Sequence, residues 1–180
     1  MERKQITQIV LVSLFTALTA AGAFIRIPLP PVPITLQTLF AMLAATALPP
    51  AMATLSIVVY LLLGIIGLPI FTAGSGLGAL LSPTGGYLIG MVPAVFLGSL
   101  IMKLLHKGNR IQSFSAAVSA TLIIYIVGLW WLSESMDLSL TATLSAGLLP
   151  FIPGDILKII VTAAVAPSVR KRINDLLETR

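Results

Sequence analysis

The 180-residue chain has no cysteine and one histidine, His106. Disulfides, thiolate metal centres, iron–sulfur clusters and cysteine nucleophiles are therefore excluded, and a catalytic transition-metal site would lack its usual ligands. Charge is also scarce. Lys, Arg, Asp and Glu together make up 9% of the residues, whereas soluble domains carry about 25%. A water-soluble domain cannot cover its surface with so few polar groups, and a disordered chain is more polar still. No G-x-x-x-x-G-K-[ST] loop occurs, so hydrolysis of ATP by that route is excluded for this chain.

What the chain has instead is apolar length: 57% of it is hydrophobic. A helix crossing the hydrocarbon layer needs about 20 apolar residues. Six apolar segments stand out, roughly Gln5–Ile25, Thr35–Leu48, Pro50–Leu68, Thr84–Leu105, Ser113–Leu132 and Pro153–Val169. The second is short, but fusing it with the third would give a helix too long for a bilayer with Pro49-Pro50 in its middle. The expected architecture is an all-α integral membrane protein, one domain over residues 1–180, with six transmembrane helices. The net charge of +5 fits this reading better than nucleic-acid binding. Six crossings put Arg3, Lys4, Lys103, Lys107, Arg110, Arg170, Lys171, Arg172 and Arg180 on one side, which the positive-inside rule makes the cytoplasm. Both termini then lie inside. Glu134, Asp137 and Arg26 fall outside; five crossings would put the last basic cluster there too.

The outward connections are long and apolar. The first holds Pro28, Pro30, Pro31 and Pro33 around Val32, which favours an extended polyproline-like course. The third runs from Gly67 through Phe71, Gly74, Ser75 and Gly76 to Gly78, and a Ser82-Pro83-Thr84-Gly85-Gly86 stretch follows it. Irregular apolar backbone near membrane depth survives when it is buried in protein or lines a cavity. These segments are expected to fold as lids over an outward cavity. Pro93 is expected to kink the fourth span, and Trp130 and Trp131 to sit at the outer interface.

Two ionisable residues interrupt the last span. Asp155 follows Pro153 in the first helical turn, where unpaired N–H groups and the helix dipole favour a carboxylate. Lys158 is three residues on and shares its face. It lies ~7.5 Å below Pro153 at about 1.5 Å per residue, level with the lids. Charges inside a span usually face a cavity or the protein interior, so this pair is a candidate ligand contact as well as a structural pair. Thr35, Gln37, Ser75, Thr84 and Tyr87 are further polar candidates at that level. Gln37 in particular needs a partner for its amide. Ala17 and Ala21, and Thr16 and Ala20, form small-residue steps that let another helix approach, within this chain or in a partner.

Taken in order, Ile27-Pro28-Leu29-Pro30-Pro31-Val32-Pro33-Ile34-Thr35-Leu36-Gln37-Thr38, Tyr60 to Phe71, Ser82-Pro83-Thr84-Gly85-Gly86-Tyr87 and Pro153-Gly154-Asp155-Ile156-Leu157-Lys158 resemble the BioY family over essentially the whole chain. These are the biotin-binding S subunits of energy-coupling factor transporters. The resemblance implies a multi-pass subunit of a prokaryotic plasma membrane that binds biotin from outside. It implies a transmembrane scaffold subunit and two ATP-binding cassette ATPases as partners, with no cofactor of its own and ATP used only in those partners. Asp155 and Lys158 are the implied ligand contacts, Ala17 and Ala21 the implied scaffold contact. The loop after Phe71 departs from the family, which is often richer in glycine there; Ser75 is the best substitute for a polar contact. The alternatives are an S subunit for another small vitamin-like ligand and a stand-alone biotin facilitator.

Overall fold

A computed structural model describes residues 3–105 and 108–178. His106, Lys107 and Arg180 lie outside the described residues. Helix α1 (Arg3–Phe24) is followed by a hairpin of two short strands, β1 (Arg26–Ile27) and β2 (Ile34–Thr35). Then come α2 (Gln37–Ala47), α3 (Pro50–Ile65), α4 (Gly76–Leu81), α5 (Gly85–Leu105), α6 (Arg110–Met136), α7 (Leu140–Gly147) and α8 (Ile152–Glu178). Four of these, α1, α5, α6 and α8, are long and apolar enough to cross a membrane, and α2 and α3 are shorter apolar helices.

Local chemistry sets the boundaries. Pro50 opens α3 without wasting a donor. Gly67 adopts φ 113 just after α3, a conformation suited to glycine, and stops the helix short of Leu68. Asn109 accepts a bond from the Gln112 N–H and starts α6 three residues before the expected Ser113. The same helix runs on through Glu134 and ends at Asp137 in the left-handed region, so Glu134 belongs to the last turn of α6 rather than to a connection. Helix α8 continues past Val169 to Glu178, and α5 runs through Pro93.

Three elements differ from expectation. The proline-rich segment is not a free polyproline stretch. Its flanks pair antiparallel, Arg26 with Thr35 and Ile27 with Ile34, and the prolines form the hairpin loop. The glycine-rich connection contains α4, and the fifth contains α7, capped by Ser139.

The main helices alternate in direction. Arg170 of α8 donates to the carbonyls of Thr46 (3.2 Å) and Met102 (3.4 Å), near the ends of α2 and α5. At the other end, Lys158 meets Thr38 at the start of α2. So α2, α5 and α8 run the same way. Helix α6 runs against them: Gln112 near its start donates to Met102 O (3.1 Å), and Trp131 near its end donates to Ser82 O (2.9 Å). The end of α1 lies on the start of α2 at Gly22, and Tyr60 late in α3 reaches Gln37. The basic ends of α1, α5 and α8 and the start of α6 thus share one end, opposite the hairpin.

Small side chains make the close packing possible. Ala41, Ala44, Ala45 and Ala47 of α2 are fully buried, as are Ala116, Ala117 and Ala120 of α6. Gly98 abuts Ala45 and Ala116, and Gly86 sits against Trp131. Interfaces of this kind hold helices together where lipid supplies no hydrophobic drive. Large apolar residues such as Leu62, Ile111, Leu122, Ile126, Trp130 and Ile160 point outward all round, the pattern of a lipid-facing surface.

Candidate functional site

A cleft opens at the hairpin end. The start of α2, the first half of α5, the second half of α6, the first turns of α8, the hairpin and the segment after α3 all contribute to it. Its cavity volume is about 50 Å³, below the ~300–1,000 Å³ of small-molecule sites. Leu88, Met91, Ile124, Tyr87 and Phe151 supply apolar walls, and Val32 and Pro33 close over them. The polar lining is Thr35, Gln37, Thr38, Thr72, Thr84, Tyr125, Asp155 and Lys158.

Asp155 and Lys158 are the chemical centre. Both are more than nine-tenths buried. Lys158 Nζ lies 2.6 Å from Asp155 Oδ1 and donates to Thr38 Oγ1 at 3.0 Å. The Tyr125 hydroxyl donates to Asp155 Oδ2. The carboxylate sits in the first turn of α8, where the helix dipole supports its charge. A carboxylate offers about four lone-pair sites, and the protein occupies two of them in this arrangement. Room remains for N–H donors from a ligand. Removing one member of such a pair would strand a buried charge, at a cost of about 3–5 kcal/mol.

Gln37 has the protein partners its burial demanded. Its amide donates to Tyr60 Oη, its Oε1 accepts from Thr35 Oγ1 at 3.1 Å, and the Tyr60 hydroxyl donates in turn to Ile70 O at 3.0 Å. This chain ties the start of α2 to the loop after α3. Tyr87 lines the cavity with its ring. Its hydroxyl donates to Gly147 O at 2.9 Å, and the ring stacks on Phe151 at 6.3 Å between centroids.

Phe71 and Ser75, expected at the cavity, are not among its lining residues. Phe71 turns beneath the loop instead. Its ring fills the gap left by Gly64 and meets Tyr60 edge-on at 5.3 Å. Its neighbour Thr72 takes the place at the cavity. Ser75 is exposed at the start of α4 and makes no cap bond. Of the lid residues, Val32 is buried and lines the cavity with Pro33; Pro31 is half-buried, and Pro28 and Pro30 lie on the outer surface. Ala17 and Ala21 are exposed on α1, whereas Thr16 faces inward and donates to Ser56 O at 2.8 Å. The two small-residue steps of α1 thus face opposite ways. Trp131 is more than an interfacial aromatic, since it bonds Ser82 and packs on Gly86.

Sequence reasoning missed Tyr125, Thr38, Thr72 and Phe151. Tyr125 sits mid-span, where a tyrosine reads as packing. Its only advance signal is a hydroxyl within an apolar run that needs a partner. Among the described residues no group of three or more His, Asp or Glu side chains converges on a common point.

The chain is similar to several known proteins. The biotin transporter BioY of Thermotoga maritima is 37% identical over 166 residues, covering 91% of this chain and 96% of its own. The biotin transporter BioY of Rhodobacter capsulatus is 38% identical over 177 residues, covering 89% and 92%. A crystal structure of the S-component for biotin from an ECF-type ABC transporter superposes with a TM-score of 0.88 at 31% identity, covering 95% of this chain and 94% of that one. The BioY family model matches residues 1–175. Over nearly its whole length, then, and with the buried Asp155–Lys158 pair at the head of α8, this chain belongs to the BioY family.

Proposed function

We propose that this chain is the biotin-capturing S component of an energy-coupling factor uptake transporter. One observation carries the reading: a buried carboxylate–ammonium pair, held by Tyr125 and Thr38, stands in a cleft whose other walls include Leu88, Met91, Ile124 and Phe151. Biotin's ureido group presents two N–H donors and a carbonyl. Asp155 accepts from the N–H groups and Lys158 donates to the carbonyl. Tyr87, Met91 and Phe151 receive the apolar sulfur ring, and Val32 and Pro33 cover it. An analogue without the ureido group leaves the buried pair unanswered, which gives selectivity.

The chain crosses the prokaryotic plasma membrane six times with both termini in the cytoplasm. The alternating helix directions and the single basic end support this. Helix α2 spans only ~16 Å by its 11 residues, but it is sheathed by its neighbours and meets little lipid. A transmembrane scaffold and two ATPase subunits drive uptake; this chain supplies binding, needs no cofactor and leaves ATP to those partners. The exposed step at Ala17 and Ala21 is the scaffold contact.

The test is to purify the chain in detergent, identify co-eluting small molecules by mass spectrometry, strip them and titrate with biotin. Saturable, stoichiometric binding is expected. No biotin in the eluate and no saturable binding after stripping would overturn the reading.

A further inference from the structure

Biotin is an elongated anion, with the ureido ring at one end and a carboxylate at the end of a flexible chain at the other. The Asp155–Lys158 pair can serve one end only, because its opposite charges are 2.6 Å apart. A ligand carboxylate placed on Lys158 would also face Asp155, and like charges at that distance in a low-dielectric site repel strongly. The ureido end therefore belongs at the pair and the carboxylate points to the mouth.

Arg26 lies beside the cavity rather than in its lining, exposed on the outer face of the hairpin beside Pro28, Pro30 and Pro33. Its backbone pairs with Thr35 across the hairpin, and Thr35 lines the cavity. Its Nη1 donates to Thr72 O at 2.7 Å, and Thr72 lines the cavity from the facing loop. The side chain thus bridges two segments that each contribute to the cavity lining. A guanidinium has five N–H donors, and the described bond uses one, on a neutral carbonyl. Among the described residues no carboxylate lies within ion-pair distance of Arg26. At this end of the molecule its charge is the one that Asp155 does not already balance.

We infer that Arg26 forms the carboxylate subsite, taking the tail of the bound anion beside the cavity while its bond to Thr72 keeps the two loops together. This rests on the biotin reading. The geometry explains why a lone arginine sits on the side the positive-inside rule depletes. It also makes the tail contact partly exposed, so that salt screens it.

The test compares biotin with biotinol, the uncharged alcohol that keeps ring and chain, on the ligand-stripped full chain in detergent. Wild type is expected to bind biotin about tenfold or more tightly than biotinol, the scale of a charge-assisted hydrogen bond. Arg26→Gln should lose about that factor for biotin and almost none for biotinol, whose unchanged binding shows an intact fold. Arg26→Lys should restore part of the preference, and added salt should weaken biotin alone. Equal losses for both ligands in Arg26→Gln would reduce Arg26 to a loop latch and overturn the subsite, as would a wild type without preference. A wild type that binds neither ligand would overturn the biotin reading and this inference with it.

Discussion

Tyr125 and Asp155 stand 30 residues apart in the chain and share a hydrogen bond across the seam between α6 and α8. The tyrosine hydroxyl donates to one carboxylate oxygen while Lys158 donates to the other. The Asp155 carboxylate is thereby fixed in rotation, and Asp155 lines the cavity. The carboxylate and the hydroxyl that holds it come from different helices.

Tyr125→Phe removes the donor and keeps the ring. The expected result is about tenfold weaker biotin binding, with a stability loss of about 1 kcal/mol. Isothermal titration and thermal unfolding in detergent measure the two. Unchanged affinity would make the bond a packing feature only.

Asp155→Asn keeps the shape but sets an amide against two donors and leaves the Lys158 ammonium buried without a counter-charge. Biotin affinity should fall about 100-fold or more, the cost of a lost charged hydrogen bond plus an unanswered donor. The variant should still elute as a folded monodisperse species. Adding Lys158→Met should recover thermal stability but not binding, because it removes the stranded charge without replacing the acceptor. Near-wild-type affinity in Asp155→Asn would assign the pair to structure.

Gly64→Ala tests the role of Phe71. The added methyl would occupy the place of the Phe71 ring, and overpacking of this kind costs about 1–3 kcal/mol. Displacing Phe71 should carry Thr72 with it and weaken ligand binding, read by titration. Gly64→Ala with Phe71→Leu should recover much of both losses. No recovery would mean that the glycine serves something other than the ring.

Ala17→Trp adds bulk on the exposed face of α1 and touches nothing in the cavity. Biotin binding should be unchanged, and co-purification with a scaffold–ATPase module should drop severalfold. Thr16→Val, one residue away but facing inward, should instead lower stability by about 1 kcal/mol through its lost bond to Ser56. Equal co-purification of Ala17→Trp and wild type would remove the contact from α1.

The site was legible where chemistry is rare. Asp155 and Lys158 could be singled out because charges inside an apolar helix need a reason, and Gln37 because a buried amide needs a partner. Phe71 and Thr72 show where such reading stops. Both follow a glycine-punctuated turn, and which of two neighbours faces the cavity depends on a gap at Gly64 on another element. Ser75 looked like a polar contact for a glycine-rich loop, but α4 starts there and leaves it outside. The hairpin was hidden because prolines at positions 28, 30, 31 and 33 argue against a strand, while the pairing residues lie on either side of them.

By itself the sequence determined that this is a membrane helix bundle, which end of it is basic, and which two charges sit within a span. Composition, segment length and charge placement suffice for these because each follows from the price of putting a polar group in hydrocarbon. Tertiary structure alone decided that Tyr125 and Thr38 bond the Asp155–Lys158 pair, that Gln37 bonds Tyr60, and that Arg26 bridges the hairpin and the loop at Thr72. Those relations join residues far apart in the chain. They depend on helix direction and rotation, which close packing of small residues sets and no local pattern records.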